Sequence, residues 1–217
     1  MLFLQPLRRT CLRAALAALC LLGAAAGARA AAETPNALIS RLSGQVLQAI
    51  KSDKAIAGGD LAHIMSVVDT MIMPSVDFTR MTASATGPGW RQATPEQRQR
   101  LQNQFKTLLV RTYAGALQQV SDQTVDVLPM RGGGAADQEV IVRTLVKGRG
   151  DPIQLDYRLA KTSDASGGWK IYDLNVLGVW LVDNYRPQFA QQIRASGIDG
   201  LIDSLAARNK ANGAGGK

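Results

Sequence analysis

The sequence predicts an α+β fold, in which helices pack over one face of a four-stranded antiparallel meander. Three observations support this prediction. Apolar residues recur at helical spacing from residue 35 to residue 120, alternate with polar residues between about residue 125 and residue 176, and return to helical spacing after Gly178. A block of strands with short turns between two helical blocks forms an antiparallel sheet, and the helices must cover one of its faces.

The first helical block begins with two amphipathic segments. Pro35 suits the first turn of a helix, and an apolar stripe follows over residues 38–50 before glycines 58–59 end the segment. Asp60 can cap the next helix, because a short acidic side chain accepts from the free N–H groups of a first turn. Pro74 ends that second helix, since proline cannot continue the backbone hydrogen bonding.

The most regular element of the chain follows a strong helix start. Thr94 and Gln97 have the spacing of a capping box, and Pro95 occupies the first helical position. An apolar stripe then continues over residues 101–120, which is about five turns at 3.6 residues per turn. We therefore expect one long helix here.

Four segments after residue 120 have the pattern of strands. Val125 and Val127 alternate with polar residues, and residues 139–147 are rich in β-branched side chains. Residues 153–159 alternate strictly between apolar and polar, which indicates a half-buried strand, and residues 169–176 form the fourth segment. Glycine-rich turns separate these strands at residues 131–134, 148–152 and 166–168.

Helical spacing returns at the C-terminal end. Four large apolar residues lie four positions apart: Leu181, Tyr185, Phe189 and Ile193. Pro187 interrupts this segment and predicts either a kink or a helix that begins near Asn184. Gly197 separates a last helix, and the glycine-rich residues 211–217 are predicted to be a disordered tail.

Residues 1–30 have the pattern of a secretory signal peptide. Arg8, Arg9 and Arg13 form the positive region, and residues 14–26 form a short apolar run. Residues 28–30 supply a small-x-small cleavage pattern, with residues 30–32 as a second choice. The alternative is a retained membrane anchor, which the short alanine-rich run disfavours. We therefore expect export, cleavage, and a folded domain over residues 31–210.

Composition excludes several classes of protein. Apolar residues make up 46% and charged residues 19% of the chain, as in a folded globular protein. The formal net charge of +8 falls to +4 without the four arginines of the signal peptide, and the remaining basic residues are scattered, so we expect no nucleic-acid partner. Cys11 and Cys20 both lie in the signal peptide, which excludes a disulfide framework, a catalytic thiol and cysteine-ligated zinc after residue 30.

The sequence offers little catalytic chemistry. His63 is the single histidine, and no cysteine accompanies it after residue 30, so a metal site is not expected. Asp156 and Asp173 lie on neighbouring strands and could face each other as an acid–base pair. Asp156 shares a polar face with Gln154 and Arg158, however, and nothing in the sequence predicts a raised pKa for either carboxyl. An enzyme with a strand carboxylate is therefore the disfavoured alternative.

An excess of apolar faces leaves two arrangements open. The long helix, the methionine-containing helix and the strands could fill one another, as in an interaction module with a solid core. They could instead enclose a cavity, because methionines such as Met65, Met71 and Met73 adapt to variable apolar ligands. The spacing of apolar residues along the sequence is the same for both arrangements, so it does not decide between them.

Several motifs together resemble one known family. Residues 90–98 (WRQATPEQR), running into FKTLL at 105–109 and TYAGAL at 112–117, are similar to the MlaC family of periplasmic phospholipid-binding proteins, also called toluene-tolerance proteins. The segments at 74–78, 169–174 with 178–179, and 197–201 match in the same order. The resemblance covers roughly residues 35 to 209.

The resemblance implies a periplasmic carrier without a catalytic motif. Members of the family carry phospholipid between an outer-membrane lipoprotein–porin complex and an inner-membrane ABC transporter complex with its substrate-binding ring subunit. The implied pocket takes the acyl chains into an apolar space between sheet and helices and leaves the head group exposed. Bound phospholipid would be cargo, and no cofactor is expected.

Eleven positions are candidate walls of this pocket. They are apolar residues on the helices and strands that face each other in the predicted fold. They are Met71, Val76, Phe105, Leu108, Leu109, Tyr113, Leu155, Tyr157, Leu174, Val179 and Trp180.

Overall fold

The computed structural model describes residues 33–117, 122–130, 137–162 and 168–214. The predicted signal peptide, the turn at 131–134 and most of the turn at 166–168 lie outside these ranges. None of the helices in the described ranges combines the length and hydropathy that a bilayer-spanning helix needs.

The helical half of the chain has the predicted order with shorter pieces. The helices are α1 (Pro35–Ser52), α2 (Lys54–Ala57), α3 (Leu61–Val67), α4 (Phe78–Thr86), α5 (Gly89–Gln92) and α6 (Pro95–Leu117). Asp60 caps α3 as predicted, because its carboxylate accepts from the His63 N–H at 3.1 Å. After α3 the backbone widens into a π-helical turn (Val68–Ile72) and then tightens into a 3₁₀ turn (Met73–Ser75), so the predicted single helix up to Pro74 is wrong in detail.

The capping box of α6 is present. The Gln97 N–H donates to the Thr94 hydroxyl at 3.2 Å, and the Thr94 N–H donates back to the Gln97 side-chain carbonyl at 2.9 Å. The helix then runs for 23 residues, which confirms the single long helix of the sequence prediction.

The described strands form a five-stranded antiparallel sheet in sequence order. They are β1 (Thr124–Val127), β2 (Glu139–Lys147), β3 (Ile153–Lys161), β4 (Trp169–Val176) and β5 (Val179–Trp180). The four predicted strands are confirmed, and β5 is an addition. Two residues are too few to produce a detectable alternation, which is why the sequence pattern did not predict β5.

Register decides which side chains face the helices. Tyr157 pairs with Val142 on one side and with Leu174 on the other. A bulge between Arg158 and Leu159 shifts the pairing, so that Leu159 lies opposite Ile171. Helix α1 packs over this face, and the carboxylate-bearing side chains of β3 and β4 lie on the opposite face.

The last helix, α7 (Leu181–Ala214), begins earlier than predicted. Its backbone stays helical at Pro187, and the non-helical residue inside it is Gly197, with φ 71°. A start near Asn184 is therefore wrong, while the predicted break at Gly197 is confirmed. The cap explains the early start: the Asp173 carboxylate of β4 accepts from the Val182 N–H at 3.1 Å. The helix continues to Ala214, inside the segment predicted as a tail.

Candidate functional site

The largest buried cluster, which we call the aromatic core, lies between α4, α6 and α7. The Phe105 ring contacts the Tyr185 and Phe189 rings edge-on, with centroids 5.1 Å apart in both pairs, and it lies 5.8 Å from the Phe78 ring. Phe105 and Leu108 have no accessible surface. Two of the predicted wall positions are therefore packed inside this core.

Two smaller buried clusters involve helix α1. Leu38, Ile39 and Leu42 of α1 pack against the sheet at Val142, Leu159 and Ile171. Three isoleucines, Ile50, Ile56 and Ile64, join α1, α2 and α3. The first cluster holds α1 against the sheet, and the second holds the first three helices together.

Between the clusters, apolar side chains remain only partly buried. We call six of them the helix–sheet lining: Leu109, Tyr113, Leu155, Tyr157, Leu174 and Val176. Leu174 packs against the aromatic core and Tyr157 against the α1 cluster, yet the two are direct cross-strand neighbours. On α6 the buried stripe also stops here, because Thr112, one turn after Leu108 on the same face, is exposed. The lining thus lies between the aromatic core and the α1 cluster, which remain two separate buried clusters.

Tyr157 has the most informative environment in the lining. Burial raises the pKa of its hydroxyl to about 12, although hydrogen bonds with Ser43 and Thr144 act to lower the pKa. Its side chain nevertheless keeps part of its accessible surface. Protein atoms therefore surround most of the Tyr157 ring, while part of it stays within reach of solvent.

A groove of about 570 Å³ lies between α1 and β1, next to this tyrosine. Ser43, which bonds Tyr157, is one of its lining residues. Gly44, Leu47 and Val125 are the other non-polar members, and the remaining lining residues are polar or charged: Ser40, Gln48, Lys51, Ser52, Gln123 and Thr124. A Cβ placed on Gly44 would meet nothing within 4 Å, so this helix-interior glycine faces open space. The volume lies within the usual range of small-molecule sites.

The sequence prediction did not include this α1 wall. The available signal was a set of small residues, Ser40, Ser43 and Gly44, at spacings of three and four on one side of an amphipathic helix. A glycine inside a helix costs about 1 kcal/mol relative to alanine, so its presence suggests another use for the position.

The other predicted wall positions are spread over several parts of the fold. Leu109, Tyr113, Leu155, Tyr157 and Leu174 belong to the lining, and Val76 touches both the aromatic core and the α1 cluster. Met71 is half-buried in the π-helical turn. Val179 is 51% exposed at the rim of the sheet.

Trp180 lies on the face of the sheet that points away from α1. It pairs with Asn175 across β4 and β5, and the Arg158 guanidinium lies 4.0 Å from the centroid of its ring. The structure therefore separates Trp180 from its neighbour Val179, which pairs with Val176 on the helix side.

The carboxylates of the strands do not form an acid–base pair. Asp156 lies opposite Asn175, whereas Asp173 lies opposite Arg158, whose Nη1 donates to its Oδ2 at 2.8 Å. Contrary to the expectation from sequence, the pKa of Asp173 is raised, because the carboxyl is buried. Its two oxygens are already occupied by Arg158 and by the N–H groups of Leu174 and Val182.

His63 forms a contact with a nearby carboxylate. Its Nε2 lies 2.6 Å from Asp53 Oδ2 near the surface, and Asp53 in turn caps α2 through the Ala55 N–H. Among the described residues, no group of three or more His, Cys, Asp or Glu side chains is placed to hold a metal ion.

The family model described as "MlaC protein" matches residues 40–207, which include most of α1, the whole sheet and most of α7. The chain belongs to the MlaC family. The resemblance found in the motifs is therefore confirmed, and with it the α+β fold class.

Two curated relatives of this MlaC-family chain have informative names. The toluene tolerance protein ttg2D of Pseudomonas putida is 27% identical over 179 residues, which cover 81% of each chain. The intermembrane phospholipid transport system binding protein MlaC of Haemophilus influenzae is 24% identical over 178 residues, which cover 81% of this chain and 83% of the relative.

One solved MlaC-like structure carries a ligand. It is a phospholipid-binding protein from Ralstonia solanacearum in complex with a phospholipid, and it is 42% identical to this chain. The likeness covers 84% of this chain and 99% of that one, with a TM-score of 0.78.

Proposed function

We propose that the protein is a periplasmic phospholipid carrier whose acyl-chain site is the helix–sheet lining. The observation that carries this proposal is the 42% identity with a phospholipid complex over nearly all of that chain. The lining adds a physical reason, because half-buried apolar side chains around Tyr157 provide apolar surface inside an otherwise closed fold. The groove beside Gly44 adjoins the lining through the hydrogen bond between Ser43 and Tyr157, and we include it in the proposed site as a neighbouring space.

Energetics favour a carrier that exchanges with membranes. Two acyl chains contain ~30 CH₂ groups, and removing these from water is worth about 25 kcal/mol at ~0.8 kcal/mol each. Release into water would be prohibitively slow, but a membrane hides the chains as well as the pocket does. Transfer between membrane and pocket is then nearly balanced. An exposed head group completes the balance, since the phosphate never loses its water.

The carrier would work between two assemblies. We propose an outer-membrane lipoprotein–porin complex at one end and an inner-membrane ABC transporter complex, with its substrate-binding ring subunit, at the other. Residues 1–30 would direct export and be removed, which leaves the domain free to diffuse in the periplasm.

Native mass spectrometry of protein purified without detergent tests the proposal. We expect a mass increment of about one phospholipid per chain, and we expect delipidated protein to take labelled phospholipid from vesicles. Protein that carries no lipid and takes none from vesicles would overturn the proposal. N-terminal sequencing of the same periplasmic material should start at Ala31 or Glu33, whereas a retained Met1 would contradict export and release.

A further inference from the structure

Asp173 is a buried carboxylate, and binding an acyl chain does not require a buried charge at this position. Its side chain is 1% exposed, on the sheet face away from α1. Arg158 Nη1 donates to Oδ2 at 2.8 Å, and the N–H groups of Leu174 and Val182 donate to Oδ1 at 2.9 and 3.1 Å. One carboxylate thus joins β3, its own strand β4 and the first turn of α7.

Arg158 extends the same cluster to β5. Its guanidinium carbon lies 4.0 Å from the centroid of the Trp180 ring, and its Nη1 lies 3.3 Å from Asp183 Oδ2. A guanidinium over an indole face is an attractive cation–π contact. We call Arg158, Asp173, Trp180 and Asp183 the Arg158 cluster.

Stability alone does not account for this cluster. Burial raises the pKa of Asp173, and the negative charge of Asp183 raises it further, although Arg158 and the two N–H groups act in the opposite direction. An apolar pair of similar volume would hold the strands together as well. An apolar pair would not, however, fix the orientation of its neighbours. In the Arg158 cluster, three hydrogen-bond donors and a stacked ring define where each neighbouring element lies.

The element that most needs such positioning is the β4–β5 hairpin. β5 has two residues, and the turn before it contains Leu177 at φ 53° and Gly178 at φ 87°. A leucine with positive φ is strained, and its side chain is 66% exposed. So short a strand has little stability of its own. It holds Val179, which pairs with Val176 of the helix–sheet lining.

We propose that the Arg158 cluster is a latch that holds this hairpin over the rim of the lipid site and thereby sets how long a phospholipid stays bound. The proposal rests on the proposed carrier function. In it, Asp173 and Arg158 are positioning residues that act through Trp180 and the first turn of α7 on Val179. They do not touch the lipid.

The same sheet face offers a matched control. The Arg80 guanidinium carbon lies 3.7 Å from the Tyr172 ring centroid, and its Nη2 lies 2.6 Å from Glu139 Oε1. The Tyr172 hydroxyl donates to Glu139 Oε2 at 2.8 Å. This Arg80 cluster has the same chemistry, but in the described ranges its bonds join α4 to β2 and β4 and do not include β5 or α7.

The experiment measures release of a fluorescent phospholipid from loaded protein into an excess of phosphatidylethanolamine–phosphatidylglycerol vesicles. Asp173→Asn and Trp180→Leu should release lipid faster by about tenfold, the factor that corresponds to about 1.4 kcal/mol. Arg80→Gln and Glu139→Gln should release it at the wild-type rate. Amide exchange at residues 179–182 should rise in the first pair only.

Each outcome decides between the proposals. Equal release from wild type and all four variants overturns the latch, and so does equal acceleration in both pairs, because that indicates general loosening of the sheet. If Asp173→Asn does not fold, Trp180→Leu alone decides, since it leaves the carboxylate with its donors. Wild-type protein that never binds phospholipid would instead overturn the carrier function.

Discussion

The aromatic core and the helix–sheet lining are built from the same kinds of residue but are packed differently. In the core, Phe105 has no accessible surface and contacts two other rings at 5.1 Å. In the lining, Tyr157 and Leu174 face each other across two strands and stay partly accessible. The fold thus combines a tightly packed aromatic core with a lining whose side chains are only partly packed. The proposed carrier function requires both regions, because a carrier must stay folded with and without cargo.

The largest effect is expected from opening the aromatic core. Phe105→Ala should lower the free energy of unfolding by about 3–5 kcal/mol, because it removes a fully buried ring and leaves a cavity. Total stability of a domain is about 5–15 kcal/mol, so this variant should be close to unfolding. Chemical denaturation followed by circular dichroism measures the change. A loss below about 1 kcal/mol would mean that the core is not packed as described.

The next effect separates loading from folding at the rim. Val179→Glu should abolish phospholipid loading and keep the fold, because the exposed rim leaves the carboxylate hydrated until an acyl chain arrives. Leu42→Glu is the control in a filled cluster, where the side chain is 6% exposed and the charge should prevent folding. Bound phospholipid and thermal unfolding are measured on both. Normal loading by folded Val179→Glu would show that the rim is not the entrance.

A smaller effect tests whether the groove beside α1 belongs to the lipid site. Gly44→Trp should fill the groove and reduce the amount of phospholipid bound without abolishing it. Gly44→Ala should keep full loading and raise the free energy of unfolding by about 1 kcal/mol, since alanine favours the helix. If Gly44→Trp loads as much lipid as wild type, the acyl chains do not enter this groove.

The smallest effect compares the two arginine clusters in acid. Burial raises the folded-state pKa of Asp173 above its ordinary 3.8, so the folded protein takes up this proton first. Stability relative to Asp173→Asn should therefore rise as the pH falls through that raised pKa. Hydrogen bonds from Arg80 and Tyr172 lower the pKa of Glu139 below its ordinary 4.5. Its contribution, measured against Glu139→Gln, should be lost as the pH falls below about 4.5.

Denaturant unfolding at several pH values measures both differences. Opposite slopes for the two variants are expected, and the effect at Glu139 should be small because its side chain is 53% exposed. Parallel slopes would contradict the assignment of burial as the dominant influence on Asp173.

Local patterns predicted most of the fold. The capping box at Thr94, the helix start at Asp60 and the alternation of β3 all act over a few residues, so the sequence alone contains them. The features it did not predict depend on distant residues. Helix α7 begins at Leu181 because a strand carboxylate, Asp173, caps it, and no local signal contains that bond.

Candidate lining positions could be named from sequence only as apolar faces. Phe105 and Tyr113 lie on the same long helix and have similar side chains, yet one is packed among rings and the other stays half-buried. Ser43 and Gly44 of α1 were missed because small residues do not contribute to an apolar stripe.

By itself, the sequence determined the order of helices and strands, the helix caps and the family, because these depend on spacing along the chain. Tertiary structure alone decided which apolar faces are filled and which border a space, and which face of the sheet carries Asp173. Periodicity specifies that a side chain points inward. Only the packing of distant elements determines whether anything meets it there.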